Sequence, residues 1–230
     1  MKALILAAGN GVRMMPLTKD RPKCLIEVAG KPFLQYVFQS LDKAGIEDIY
    51  MVVGNKMAQI KDFVEDFGKE AKFIIQKEVV GTGNAVLQAK DLIKEDFIVL
   101  MGDNLYSPAD IVAMAKSDEF SYVSGFESSH PQDYGVLITD GEFLERIDEK
   151  PEKPKSSLVN TGLYKFTPEI FKALEKIKKS SRGEYELTDA ITLLAKEKKV
   201  KVIKMEEYWI DMSIKEKLPD VEQQIRELVE

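Results

Sequence analysis

The sequence is poor in the residues that most often announce a chemistry. It contains one cysteine, Cys24, one histidine, His130, and one tryptophan, Trp209. A single thiol excludes an intrachain disulfide and a multi-cysteine zinc site, and it suits a reducing compartment. Nothing beside Cys24 supplies the base a cysteine nucleophile needs, so it reads as packing. His130 lies among Ser128, Ser129 and Pro131, a surface-loop context rather than that of a general base. Positive charge is also scarce: 33 Lys+Arg against 39 Asp+Glu leave a formal net charge of -6. That balance argues against nucleic-acid partners, whose binders normally carry a basic excess. An anionic substrate would have to meet a local cluster of cations. No apolar run reaches membrane length, and the run at Met1–Ala8 is too short for a signal peptide, so the expectation is a cytoplasmic protein without a membrane partner.

What is present is enough apolar material for one sizeable core: 44% of 230 residues are hydrophobic, far from the composition of a disordered chain. Ala3–Ala7, Ile49–Val53, Phe73–Ile75 and Phe97–Met101 are short continuous apolar runs of the kind made by parallel strands covered on both faces. Between them Phe33, Val37 and Leu41, then Ile60, Phe63, Val64 and Phe67, then Val86, Leu87 and Leu92 recur at helical spacing. This β-α-β-α order predicts a doubly wound, Rossmann-like α/β sheet, mixed but mostly parallel and flanked by helices, with ligands at the carboxyl ends of its strands. From Ser121 onward, strands at Ser121–Phe126, Gly135–Thr139, Phe143–Ile147 and Leu158–Phe166 follow without long helices between them. They predict a small antiparallel addition to the sheet. Helices are expected over Pro168–Lys178, Thr188–Lys198 and Lys215–Val229, and a strand over Val200–Met205. The proline- and lysine-rich segment Lys150–Lys155 reads as an exposed turn. With no repeat or linker, residues 1–230 form one expected domain: 1–120 mainly for nucleotide, 121–230 mainly for a second substrate.

The first chemical signal is the loop after the first strand, Ala7-Ala8-Gly9-Asn10-Gly11-Val12-Arg13, with Lys23 close behind. Two glycines directly after a buried strand let backbone N–H groups converge on phosphate, and Arg13 and Lys23 add charge beside them. The dinucleotide fingerprint would need a small residue where Met14 stands, and a Walker loop would need Gly-Lys-Ser/Thr. Gly102-Asp103 follows the strand ending at Met101, which puts a hard carboxylate at the crevice where it can hold Mg²⁺, or else cap a helix beginning near Pro108. Gln76 ends a strand and offers an amide donor and acceptor to a nucleobase edge. Beside it, Gly81 and Thr82 form either a close backbone approach to that base or a plain helix start.

Taken together, Leu6–Arg13, Pro16, Thr18, Pro22-Lys23 and Val28–Pro32 resemble the signature of the sugar-phosphate nucleotidylyltransferases, the family of glucose-1-phosphate thymidylyltransferase and UDP-glucose pyrophosphorylase. The resemblance continues at Gln76 with Gly81–Ala85, Gly102–Asn104, Tyr134–Val136, Glu149–Pro151, Asn160–Gly162 and Trp209–Asp211. It implies a short form of the family without the hexapeptide-repeat acyltransferase domain of some relatives. The implied reaction is attack of a sugar 1-phosphate on the α-phosphorus of a nucleoside triphosphate, with UTP or dTTP and glucose 1-phosphate favoured. Arg13, Lys23 and Asp103 are the implied catalytic residues. Ala8, Gly9, Gly11, Arg13, Gln76, Gly81 and Thr82 would bind nucleotide, and Gly135, Glu149, Lys150, Asn160 and Gly162 the sugar phosphate. Asp103 and Asp211 would hold Mg²⁺. One departure stands out: Ser213 occupies a position where relatives commonly have glycine, two residues beyond the second metal carboxylate. Asp211 has an alternative reading as a cap of the terminal helix. N-acetylglucosamine or mannose 1-phosphate, the latter with GTP, and a regulatory NDP-sugar binder without turnover are the competing expectations. A homo-oligomer is compatible with all of them.

Overall fold

A computed structural model describes residues 1–229. The chain runs β1 (Lys2–Ala7), a small hairpin of β2 (Glu27–Val28) and β3 (Lys31–Pro32), α1 (Phe33–Lys43), β4 (Asp48–Val53), α2 (Met57–Asp66), β5 (Lys72–Ile75), α3 (Thr82–Leu87), β6 (Phe97–Met101), β7 (Asn104–Tyr106) and α4 (Pro108–Met114). The second half contributes β8 (Ser121–Glu127), β9 (Gly135–Asp140), β10 (Phe143–Glu149), β11 (Leu158–Phe166), α5 (Glu169–Leu174), α6 (Leu187–Lys196), β12 (Val200–Lys204), β13 (Trp209–Asp211) and α7 (Leu218–Val229).

Nine strands form one sheet in the order β5-β4-β1-β6-β11-β8-β12-β10-β9. The first four are parallel, with Leu4 level with Tyr50 on one side and Val99 on the other. The continuous apolar runs have the cause expected of them. Ala3 and Ile5 pack on one face with Phe33, Val64, Met114 and Ile225, while Leu4 packs on the other with Val86, Ile170 and Ile191. Because successive side chains point to opposite faces, a strand with helices on both sides needs apolar residues at every position.

Beyond β6 the sheet changes direction. β11 pairs antiparallel with β6 and β8, β12 returns parallel to β8, and β10 and β9 close the edge as an antiparallel pair. The antiparallel strands thus extend the main sheet. Three helices differ in extent from the periodicity. α3 stops at Leu87, and Leu92 is exposed. α5 covers only Glu169–Leu174, and a 3₁₀ turn at Lys215–Lys217 precedes α7. The Lys150–Lys155 segment is irregular, as expected. The two short strands β7 and β13 pair outside the main sheet, in register Trp209↔Tyr106, Ile210↔Leu105 and Asp211↔Asn104. No described helix is long and apolar enough to cross a membrane.

Candidate active site

The loops after β1, β4, β5 and β6 gather at the carboxyl ends of the parallel strands. Gly11 has φ +64, and a Cβ there would lie 2.8 Å from Cγ2 of Thr18, so only glycine fits this turn. The Thr18 hydroxyl donates to the Gly11 carbonyl at 2.7 Å, and the Met14 N–H donates to the same oxygen at 2.9 Å. Gly9 faces open space, Ala8 is buried against Gly54, and Arg13 is exposed on the following 3₁₀ turn. Lys23 opens a second 3₁₀ turn, and its ammonium pairs with Oδ2 of Asp103. Cys24 next to it is buried, and burial raises its thiol pKa to about 12, which suits packing and not nucleophilic chemistry.

Asp103 does not cap α4; that role falls to Ser107, whose side chain accepts from the Asp110 N–H. Asp211 lies in β13 and not at the start of α7, seven residues further on. The β7–β13 pairing sets Asp211 opposite Asn104, and the Met212 N–H donates to the Asp103 carbonyl at 3.0 Å. Two carboxylates 108 positions apart in sequence are thereby brought to one place. Ser213 donates to Oδ2 of Asp211 at 2.8 Å, while Oδ1 is the one buried side-chain polar atom among the described residues with no hydrogen-bond partner. Burial, with Asp103 adding repulsion, pushes the Asp211 carboxyl above its ordinary pKa, against the pull of the Ser213 hydrogen bond. An orphaned carboxylate oxygen beside a second carboxylate fits a hard divalent cation. No group of three or more His, Cys, Asp or Glu suited to a metal occurs among the described residues. The remaining ligands would have to be water and substrate oxygens, the usual habit of Mg²⁺.

At the end of β5, Gln76 is buried, and its amide donates to the Gly81 carbonyl at 3.2 Å and to Oδ1 of Asn84 at 2.9 Å. A carbonyl can only accept, so Gly81 fixes which end of the amide is nitrogen and leaves Oε1 as the open acceptor. Gly81 itself, at φ +107, would carry a Cβ 2.5 Å from the Tyr185 carbonyl. The Gly83 N–H donates to that carbonyl, the Tyr185 N–H to the Val80 carbonyl, and the Leu187 N–H to the Thr82 hydroxyl. Thr82 is the first residue of α3, with Gly81 as its cap.

In the second half of the chain, Gly135, Glu149 and Asn160 are brought together. A Cβ on Gly135 would lie 3.3 Å from Oε2 of Glu149 and 3.7 Å from the Asn160 Cβ. Asn160 opens an irregular stretch of β11, where its Oδ1 accepts from the Gly162 N–H at 3.1 Å and its Nδ2 donates to the Tyr164 hydroxyl at 2.8 Å. Gly162, at φ +84, faces the Met101 side chain and the Tyr106 hydroxyl. Lys150 has φ +44, and its N–H donates to the Tyr134 carbonyl at 3.0 Å; its side chain is exposed.

Three neighbours carry no role in the sequence reading. Trp209 donates from Nε1 to Oδ1 of Asn104 at 2.6 Å and meets the Tyr134 ring edge-on at 5.2 Å. Lys217 donates to the Tyr134 hydroxyl at 2.9 Å. Tyr134 and Trp209 lie inside recognised segments, so position could have flagged them; nothing local flags Lys217. A concavity of ≈ 700 Å³ lined by Glu47, Asp48, Lys61 and Lys72 lies at the opposite, amino-terminal end of β4 and β5. It lies away from the Gly9–Gly11 and Gly81–Gly83 loops and from the Asp103/Asp211 pair, and ligands of such sheets bind at the carboxyl ends.

A sequence model described as nucleotidyl transferase matches residues 2–227. The bifunctional protein GlmU of Methanocaldococcus jannaschii is 44% identical over 214 residues, 92% of this chain and 51% of that protein. The UTP–glucose-1-phosphate uridylyltransferase AglF of Haloferax volcanii is 38% identical over 237 residues, covering 99% of this chain and 97% of AglF. Among solved structures, a UDP-glucose pyrophosphorylase complexed with UDP-glucose superposes with a TM-score of 0.86 at 25% identity, covering 98% of each chain. The chain spans about half the length of the first relatives it matches.

Proposed function

The chain belongs to the nucleotidyl transferase family, and from that premise we propose that it joins a nucleoside triphosphate to a sugar 1-phosphate, with UTP or dTTP and glucose 1-phosphate preferred. The observation that carries the proposal is the Lys23–Asp103 ion pair beside the buried, unpartnered Oδ1 of Asp211. It sets cation and hard oxygen donors where the glycine loop opens.

In this reading an oxygen of the sugar 1-phosphate forms a bond to the α-phosphorus, the bond from that phosphorus to the bridging oxygen breaks, and pyrophosphate leaves with the electron pair. The attacking phosphate is already ionised, so no general base is needed, and the protein's work is alignment and charge stabilisation. Ala8, Gly9 and Gly11 supply backbone to the triphosphate, Arg13 reaches the β- and γ-phosphates, and Lys23 stabilises charge on the reacting phosphates. Asp103 and Asp211 would hold Mg²⁺, which when bound supplies positive charge at the reacting phosphates. Gly135, Glu149, Asn160 and Gly162 receive the hexose, with Lys150 for its phosphate. This divides the chain into a nucleotide half, residues 1–120, and a sugar-phosphate half from 121 onward, with Asp211 crossing back.

The preference for uracil or thymine rests on Gln76. With both amide hydrogens committed to Gly81 and Asn84, the open Oε1 accepts a donor from the base, which the N3–H of uracil and thymine provides; cytosine has an acceptor at N3 and meets Oε1 only through its N4 amino group, in a shifted position. AglF, named for UTP and glucose 1-phosphate and aligned over nearly its whole length, supports the sugar. A cytoplasmic location accompanies this reading. Pyrophosphate release from each NTP against glucose, N-acetylglucosamine and mannose 1-phosphates, in Mg²⁺ and in EDTA, tests it. GTP with mannose 1-phosphate as the best pair would overturn the base assignment. No release with any pair, alongside NDP-sugar binding, would replace catalysis by regulation.

A further inference from the structure

Asp110 is buried and lies outside the substrate loops, on the first turn of α4. Its Oδ2 accepts the Ser107 hydroxyl at 2.7 Å. The rest of its capacity goes to a distant segment: Oδ1 accepts the Glu206 N–H at 3.0 Å and Oδ2 the Glu207 N–H at 3.3 Å. The Ser107 N–H completes the clamp by donating to the Tyr208 carbonyl at 3.2 Å. Glu206, Glu207 and Tyr208 are the three residues directly before β13, so one carboxylate and its serine grip the strand that ends in Asp211. The other end of the same ribbon is tied to Asp103, through the Met212 N–H on the Asp103 carbonyl and Asn104 Nδ2 on Asp103 Oδ1 at 3.0 Å. β13 is only three residues long, too short to fix its own register, and a slip by one residue would turn Asp211 to the other face.

We propose that Asp110, assisted by Ser107, is a positioning residue for the Asp103/Asp211 pair, setting that pair's affinity for a divalent cation by holding β13 in register. The inference rests on reading those two carboxylates as the Mg²⁺ site. Asp110 does not touch substrate or metal; it acts through backbone N–H groups, in the way that partners behind metal ligands tune affinity.

Tb³⁺ serves as the probe, because it is a hard oxygen-seeking cation and the single tryptophan, Trp209, lies two residues from Asp211 and can sensitise its luminescence. The wild-type chain should bind Tb³⁺ with a signal that Mg²⁺ displaces and that Asp103→Asn and Asp211→Asn abolish. Asp110→Asn replaces an acceptor by an amide facing two N–H donors and should weaken Tb³⁺ by about 10-fold or more. Ser107→Ala should give a smaller loss in the same direction. The control for general destabilisation is Lys165→Met, which disrupts a buried ion pair at the far end of β11 and should leave Tb³⁺ affinity unchanged. A folded Asp110→Asn chain with wild-type affinity overturns the proposal. Should that variant fail to fold, Ser107→Ala decides, and unchanged affinity there overturns it. Affinity lost equally in Lys165→Met also overturns it. A wild-type signal indifferent to Asp103→Asn and Asp211→Asn removes the metal reading itself, and this inference with it, which is a different failure from an inert Asp110.

Discussion

The hydroxyl of Ser213 donates to Oδ2 of Asp211 at 2.8 Å, and the other carboxylate oxygen, Oδ1, is buried without a partner. One hydrogen bond thus fixes the orientation of the carboxylate and selects which oxygen is left for a ligand. A serine at this position therefore does more than substitute for a flexible glycine. Ser213→Gly should raise the Mg²⁺ concentration needed for half-maximal pyrophosphate release by about 10-fold. A metal requirement equal to that of the wild type would mean that the hydroxyl is incidental.

Lys23 stands between the glycine loop and Asp103. Its replacement by alanine should lower kcat by roughly 10²-fold or more with the circular dichroism spectrum retained, because a cation aimed at developing charge is lost. If KM rises and kcat holds, Lys23 would be a binding residue and its transition-state role would fall.

Gln76 makes a sharper claim about the base than an amide alone could. Since Gly81 and Asn84 take both amide hydrogens, kcat/KM should favour UTP and dTTP over CTP by at least about 10-fold. Gln76→Leu, which removes the acceptor, should erase that preference and reduce activity with UTP and dTTP most. Equal use of CTP by the wild type would show that the amide does not read N3.

Far from the site, Lys165 is fully buried, bonded to Asp96 at 2.8 Å, to Asp118 at 3.5 Å, and to the carbonyls of Asp118 and Phe120 at 2.7 Å each. Lys165→Met should cost about 2 kcal/mol in denaturant unfolding, less than a wholly buried pair because both carboxylates keep some water. The pH dependence follows from Asp118. Its burial works to raise the pKa, but the Tyr122 hydroxyl, the Phe120 N–H and Lys165 outweigh it and hold the carboxyl below its ordinary value. The folded chain therefore binds this proton less tightly than the unfolded chain. The associated stability is complete above about pH 5 and is lost as pH falls below about 4 toward the lowered value. Urea titrations of wild type and Tyr122→Phe should differ most at neutral pH and converge in acid; a gap that widens in acid would reverse the sign.

Much of this molecule is written locally. Ala3–Ala7, Ile49–Val53 and Phe97–Met101 read as buried parallel strands because burial on two faces demands apolar residues at every position, and composition alone records that. The tight turn at Gly9–Arg13 and the place of Asp103 just past a strand's end were legible for a related reason: each is built from adjacent residues. Leu92 misled, since an apolar residue in helical phase does not say where the helix stops. What only the tertiary structure decided are relations between residues remote in the chain. The pairing of β13 with β7 brings Asp211 to Asp103, Asp110 grips Glu206 and Glu207, and Gly81 with Asn84 orients the Gln76 amide. A three-residue strand has no periodicity to read. A hydrogen bond depends on which groups are left unpaired when the chain closes, and that is settled by packing and not by any one segment's composition.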